Sequence, residues 1–463
     1  MDQGLRSVQR VKMIRVPGSH LELCHYRNIR AQYSSSNARY LNFNNGNVNN
    51  NSKTNTSIRA RAVSDCHILS SDEFCGFLTD FLVAYQECRK KKRSSKSEIY
   101  YEMDGITYTV HLALDIYKRE YEIGPSSCFI VFEPTIREVF CARFRDRVVH
   151  SWIALRLSPM FERYLPDAIN ANRVGRGTAG AIRQCVEFVE KGGWIYKFDI
   201  QGFFMSIDKR LLWRKLKPFA EGYTGWDSEW FMYVLEKSLF NAPQFNCVRA
   251  CSPKNWGPLP INKSLFGNDR WHGLPIGDLL SQMLVGFFIA SFILYIQSLN
   301  LEVTNYVDDF VVRSDSKEKI LRAIPKLRDF LCRLGLTLHP RKSYIQHSSK
   351  GVVFLGAIIK PHRQYCGHRT IRNAFRKKIP KKLQKAMQTV NSYLGYMKHY
   401  CTYNKRKELA DKCFRLFGDD IAFGKSYNKL ILRRHPRRVS SKRRKRKCAE
   451  QSKGLQVYYA SDM

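Results

Sequence analysis

The chain has 463 residues, 44% of them hydrophobic, an ordinary apolar share for a globular protein of two to four domains. Its 78 Lys and Arg against 40 Asp and Glu leave a formal net charge of +38, which calls for a polyanionic partner, nucleic acid ahead of an anionic membrane surface. The 14 cysteines are scattered rather than spaced as a disulfide framework, which fits free thiols in a reducing compartment.

Taken in chain order, the first 64 residues carry little periodicity. Their centre, residues 37–55, is dominated by asparagine and cannot bury enough apolar surface to order itself, so residues 1–70 are expected to be a disordered extension. The opening MDQGLRSVQR leads into polar sequence, unlike a secretory signal. An amphipathic helix is predicted from Asp72. Cys128 to Phe132 reads as a strand stopped by Glu133 and Pro134, and Arg143 to Leu157 as a helix. A further strand ends at Asp199. A loop rich in Pro, Gly and Asn spans residues 251–269. Cys247 and Cys251, with His272 beyond, come nearest to a zinc-ligand spacing, though a fourth ligand is not visible. The most apolar run, Met283 to Ile296, is short for a bilayer span and reads as a buried helix. β-prone residues flank Asp308 and Asp309, placing the pair at a strand turn. After Gly356 the sequence turns basic and helical, as over Lys377 to Tyr400. It runs into a polycationic stretch, Arg433 to Lys447, suited to phosphate binding or, less directly, nuclear targeting. Helices alternating with hairpin strands indicate an α+β core.

Adjacent carboxylates at a strand turn repel one another, and divalent cations remove that cost. With Asp199 on a second strand, Asp308 and Asp309 would complete an oxygen-rich site suited to Mg²⁺, and two such ions can activate an attacking hydroxyl and stabilise a leaving pyrophosphate. An Asp-Asp pair alone is more readily a solvated turn; its company carries the argument. Upstream lies Gly273-Leu274-Pro275-Ile276-Gly277-Asp278-Leu279-Leu280-Ser281-Gln282, and downstream Leu336-Thr337-Leu338-His339-Pro340-Arg341-Lys342 and Phe354-Leu355-Gly356.

In order and spacing these segments, with Lys197 to Phe204, resemble the consecutive motifs of reverse transcriptases over roughly residues 100 to 410. The resemblance implies a right-hand polymerase with fingers, a ferredoxin-like palm and an α-helical thumb. It places an N-terminal helix and fingers at 71–195, the palm at 196–360, the thumb at 361–430 and a basic tail at 431–463. It implies that Asp199 and Asp308 ligate two Mg²⁺ ions (Mn²⁺ as substitute) with the Ile200 carbonyl, and that Asp309 supports them. Phe204 becomes the aromatic gate against a ribose 2′-hydroxyl, Lys342 the proton donor to pyrophosphate, and Arg137 the clamp on the incoming triphosphate. Ile276, Gly277 and Gln282 would face the nucleotide. Arg145, Arg147, Arg173 and Arg176 would face template or nucleotide, and Phe354, Leu355 and Gly356 would form the primer grip. Each arginine is also readable as an ordinary ion-pair partner, and Lys342 as a surface lysine.

Ile276-Gly277 and Ser281-Gln282 stand where many such polymerases have Gln-Gly and Ser-Pro. That variant, with Phe144 to His150 and Asn391 to Tyr396, resembles the enzymes of diversity-generating retroelements of bacteria and their phages. These copy a template-repeat RNA into cDNA with misincorporation opposite adenine and work with a small basic accessory protein. The partners implied are template RNA, DNA primer and dNTPs, without a membrane, in a bacterial cytoplasm. Residues 35–63 resemble the end of lectin-like target domains of such elements, so the asparagine-rich stretch is either translated template-repeat sequence or a plain extension. Group II intron or retron enzymes, and a non-catalytic RNA-binding protein, are the alternatives.

Overall fold

The computed structural model describes residues 71–90, 96–132, 135–376 and 378–433, together with a helical turn, Cys66–Leu69, and five short strands before residue 53. Gln9–Arg15 pairs antiparallel with Glu22–Arg27, and Tyr33–Ser34, Asn37–Leu41 and Val48–Ser52 form a meander. Backbone pairing thus reaches into the asparagine-rich stretch that composition alone marks as disordered, because cross-strand N–H···O=C bonds need no apolar side chain. The basic tail beyond residue 433, and Glu133 and Pro134, lie outside the described residues.

Two units divide the chain: residues 1–184 with 193–346, and residues 185–192 with 347–463. The boundary expected at 360 therefore falls inside the sheet of the second unit.

The first unit is built on the helix Leu279–Ser298, apolar on every side and therefore an interior element. It is 20 residues long, longer than the sequence run suggested, and by length and composition it could cross a membrane, so shortness is not the reason to place it in a core. Burial is: 67% of its apolar window is covered by the protein itself. Phe287 stacks on Phe161 of the helix Phe144–Tyr164 with ring centroids 5.4 Å apart. Phe292 meets Phe198 and Phe310 of the sheet, and Tyr295 stacks on Phe330 of the helix Lys317–Arg333 at 4.6 Å.

The sheet has four strands in the order Glu302–Tyr306, Asp309–Ser314, Trp194–Asp199, Tyr344–His347. Phe198 and Phe310, directly paired across two of these strands, stack at 4.8 Å and fix the register by packing. A smaller sheet joins the hairpin Ser126–Val131/Arg137–Cys141 to the parallel strand Cys247–Arg249. On the far side of the core, Arg156 lies over the Trp152 ring and is paired with Asp227 and, at 2.7 Å, Asp80, tying three helical segments together. Mixed helix and sheet in this arrangement bear out the α+β class.

The second unit has a three-stranded antiparallel sheet, Val352–Phe354, Ala357–Lys360 and Arg363–Cys366, followed by the helices His368–Arg376, Leu383–Met397 and Tyr403–Phe417. The helix expected from Lys377 begins at Leu383. A closing hairpin is held by Asn391, whose amide donates to the Leu430 carbonyl at 3.0 Å and accepts the Leu430 N–H at 2.7 Å.

Candidate active site

The three aspartates meet at one edge of the four-stranded sheet. Asp199 ends its strand and is paired in register with Asp309, and Tyr306 with Asp309 closes the neighbouring hairpin, leaving Val307 and Asp308 as its two-residue turn. Ile200, buried, donates its N–H to the Asp308 carbonyl at 3.1 Å. Both carboxylate-bearing strands are therefore tied by backbone bonds beyond their last paired residues.

The turn is strained. Val307 has φ +61°, a left-handed conformation that a β-branched residue adopts only under constraint. Asn305 supplies the constraint: its buried amide donates to the Val307 carbonyl at 3.0 Å and the Asp309 carbonyl at 3.4 Å. Nothing in the spacing of the motif marks Asn305, because its role is to bond backbone two residues away.

Charge is concentrated here. Burial, then the carboxylates of Asp199 and Asp309, push Asp308 up from 3.8 to about 6. Lys342 pairs with Asp199 at 2.8 Å, and Lys197 with Asp309 at 3.5 Å. Lys342 comes to Asp199 from the loop after Leu338, where the His339 N–H donates to the Asp199 carbonyl at 2.8 Å. Lys197 opens the motif that runs to Phe204, but that motif assigns it no role; it lies two residues before Asp199 on the same face of its strand, and only the structure shows its pairing with Asp309.

Among the described residues no three His, Cys, Asp or Glu side chains stand at metal-ligating spacing. The lysines hold two of the three carboxylates as counter-ions. The donor set nevertheless fits a hard divalent cation: it is all oxygen and partly buried, and burial, then the neighbouring carboxylates, disfavour the ionised Asp308 without a cation. No comparable fit exists at Cys247 and Cys251. They lie near Cys128, while His272 is turned to Asp269 at 2.9 Å.

The loop Gly273 to Gln282 borders the hairpin Ser126–Val131/Arg137–Cys141. Gly277 has φ +105°, and a Cβ there would stand 2.7 Å from Val139 Cγ1, so only glycine fits. The Ile276 carbonyl accepts the Phe140 N–H at 2.9 Å, and its side chain joins Phe204 on a small cluster of Cys128, Phe140, Met205 and Leu265. Gln282 is half-buried, and its carbonyl accepts from the Asn172 amide at 2.9 Å. Asp278 caps the core helix and pairs with buried His150 at 2.7 Å.

The arginines divide. Arg137 stands exposed at the start of its strand. Arg147 is half-buried over the Phe144 ring at 5.3 Å. Arg145 is engaged by Asp115 and the Glu122 carbonyl and lies over Tyr121. Arg176 is paired with Asp167. Arg173 is held inside the fold: its side chain is 4% exposed and bonds Glu162 and the carbonyls of Leu165 and Pro166. A guanidinium so satisfied holds a loop together and has little left for a phosphate.

Phe354, Leu355 and Gly356 occupy a tight turn of the second unit's sheet. Phe354 is buried, and the Leu355 carbonyl accepts from the Tyr396 hydroxyl at 2.9 Å.

No curated protein matches the sequence. Residues 133–359, which contain all three aspartates, Lys342 and the Gly273 to Gln282 loop, match the family described as reverse transcriptase (RNA-dependent DNA polymerase). This segment is thus a reverse transcriptase domain, and the protein that carries it is an RNA-directed DNA polymerase, a nucleotidyltransferase.

Proposed function

We propose that the protein copies a template-repeat RNA into adenine-mutagenised cDNA, as the polymerase of a diversity-generating retroelement, with a right-hand division into fingers, palm and thumb. The observation that carries the catalytic reading is the pairing of Asp199 with Asp309 beside the Val307-Asp308 turn, with Lys342 on Asp199. Asp199, Asp308 and Asp309, with the Ile200 carbonyl, would hold two Mg²⁺ ions. When bound, these supply charge neutralisation for a primer 3′-hydroxyl and for the phosphates of the incoming nucleotide.

The remaining work falls to the chain. The primer 3′-oxygen would bond the α-phosphorus as the bond to pyrophosphate breaks, and Lys342 would give a proton to that leaving group. Arg137, exposed at its strand's start, is available to the triphosphate. Phe204, half-buried at the start of the helix Phe203–Ser206, would face the sugar. Ile276 would face the nascent pair with an apolar side chain that offers no hydrogen bond. The subtype reading rests on the Ile276-Gly277 and Ser281-Gln282 variants, with Phe144 to His150 and Asn391 to Tyr396. It carries with it a small basic accessory protein and a bacterial cytoplasm as the place of action.

Primer extension with Mg²⁺ on an RNA template, followed by sequencing of the cDNA, tests both levels. Asp199→Ala should abolish synthesis while leaving RNA binding, which rests on the many cations, nearly unchanged. Near-normal extension by that variant would remove the catalytic assignment. Errors spread evenly over all four template bases would remove the retroelement assignment and leave an ordinary reverse transcriptase.

A further inference from the structure

We propose that Glu138, with the loop at residues 253–268 that it anchors, is the positioning device for nucleotide selection. This rests on the reading of Phe204 and Ile276 as nucleotide-facing. Glu138 follows the exposed Arg137 on the same strand but points inward and is wholly buried. Its carboxylate accepts three hydrogen bonds, all from that loop. Oε2 accepts from Trp256 Nε1 at 2.7 Å and Ser264 Oγ at 2.7 Å, and Oε1 from the Leu265 N–H at 2.7 Å. A buried carboxylate persists only when its lone pairs are met in this way.

What the bonds hold is the floor under both specificity residues. Leu265 is fully buried in the cluster with Cys128, Phe140 and Met205, and Phe204 and Ile276 pack on that same cluster. The loop is fixed at its other end by Asn268, whose amide donates to the Met205 carbonyl at 2.7 Å. The Phe140 N–H bonds the Ile276 carbonyl, so the strand carrying Glu138 also holds the Ile276 backbone. Sugar gate and base-pair contact therefore share one support, and Glu138 bolts it to the strand that begins with Arg137. Movement of Leu265 would displace Phe204 and Ile276 together while leaving the aspartates on their own sheet.

Glutamine at 138 can accept on one arm only. Its amide would turn N–H groups toward donors, so one side of the anchor fails while the apolar packing stays. The experiment measures single-nucleotide incorporation by Glu138→Gln, Trp256→Phe and Phe204→Ala with dNTPs and rNTPs, alongside template–primer affinity. Glu138→Gln is expected to raise the dNTP KM about fivefold or more with kcat within about twofold, and to narrow discrimination against rNTPs. Trp256→Phe, which removes one donor and keeps the ring, should move both in the same direction by less. It decides the matter if the glutamine variant does not fold. Unchanged KM and discrimination in a folded variant overturn the proposal, as does a loss confined to kcat. If Phe204→Ala leaves rNTP exclusion intact, the gate reading itself fails, an outcome separate from failure of the Glu138 variants beside a working gate.

Discussion

Asp308 is a destabilising residue where it stands. The folded state favours its protonated form, since burial and two neighbouring carboxylates raise it from 3.8 to about 6. Native protein thus binds more protons than the unfolded chain between these values, and stability falls as pH rises through that window. Above it, the ionised carboxylate costs about 3 kcal/mol in the absence of cations. Asp308→Asn, neutral at every pH, should therefore melt higher than the parent at pH 7–8 in chelator, with the gain fading toward pH 4, while DNA synthesis is lost. A variant that melts lower at pH 8 would mean that the carboxylate's attraction to the nearby lysines outweighs its repulsion.

The hairpin that carries Asp308 is an element built against its own local preference. A valine at positive φ costs about 1–3 kcal/mol, held in place by the Asn305 amide on the Val307 and Asp309 carbonyls. Asn305→Ala leaves those carbonyls without their donor and should cost about 1–3 kcal/mol of stability. Because the released turn carries Asp308, kcat should fall more than tenfold, well beyond what the small loss of folded protein explains. Comparing thermal melts with extension rates at a temperature where the variant is folded separates the two effects. A rate that merely tracks the folded fraction would reduce Asn305 to a structural residue.

Across the whole molecule, charge is distributed unlike catalysis. The net charge of +38 is spread along the chain, but several arginines of the first unit are consumed internally: Arg145 by Asp115, Arg156 by Asp227 and Asp80, Arg173 by Glu162. Cations outside such pairs must supply the counter-ion release that binds nucleic acid, and the stretch from Arg433 to Lys447 is the densest run in the sequence. Truncation after residue 433 should weaken RNA binding and flatten the plot of log affinity against log salt, by about 0.7 for each single-strand phosphate that the tail neutralises in the full chain. The melt should be unchanged. An unaltered slope would show that this stretch touches no phosphate.

Sequence alone marked the residues that meet at the edge of the four-stranded sheet. Asp199, Asp308, Asp309 and Lys342 were legible because the chemistry fixes residue types within short, ordered motifs, and the α+β class followed from alternating apolar periods. Strand and helix positions near the site were legible for the same reason: Asp199 ends a strand and Asp308 sits in a turn because local patterning says so. Tertiary structure alone decided which charges are free to act. Arg173 and Arg137 look alike in sequence, yet one is buried among carbonyls and the other exposed, since burial depends on segments distant in the chain. Lys197, Asn305 and Glu138 acquire their roles the same way. Each acts through a partner brought to it by folding: a carboxylate on the neighbouring strand, two carbonyls of a strained turn, and a loop more than a hundred residues away. The first and last of these contacts span more than a hundred residues, which no local pattern encodes, whereas the Asn305 bonds reach only two and four residues along the chain and are set by the turn that the hairpin closes.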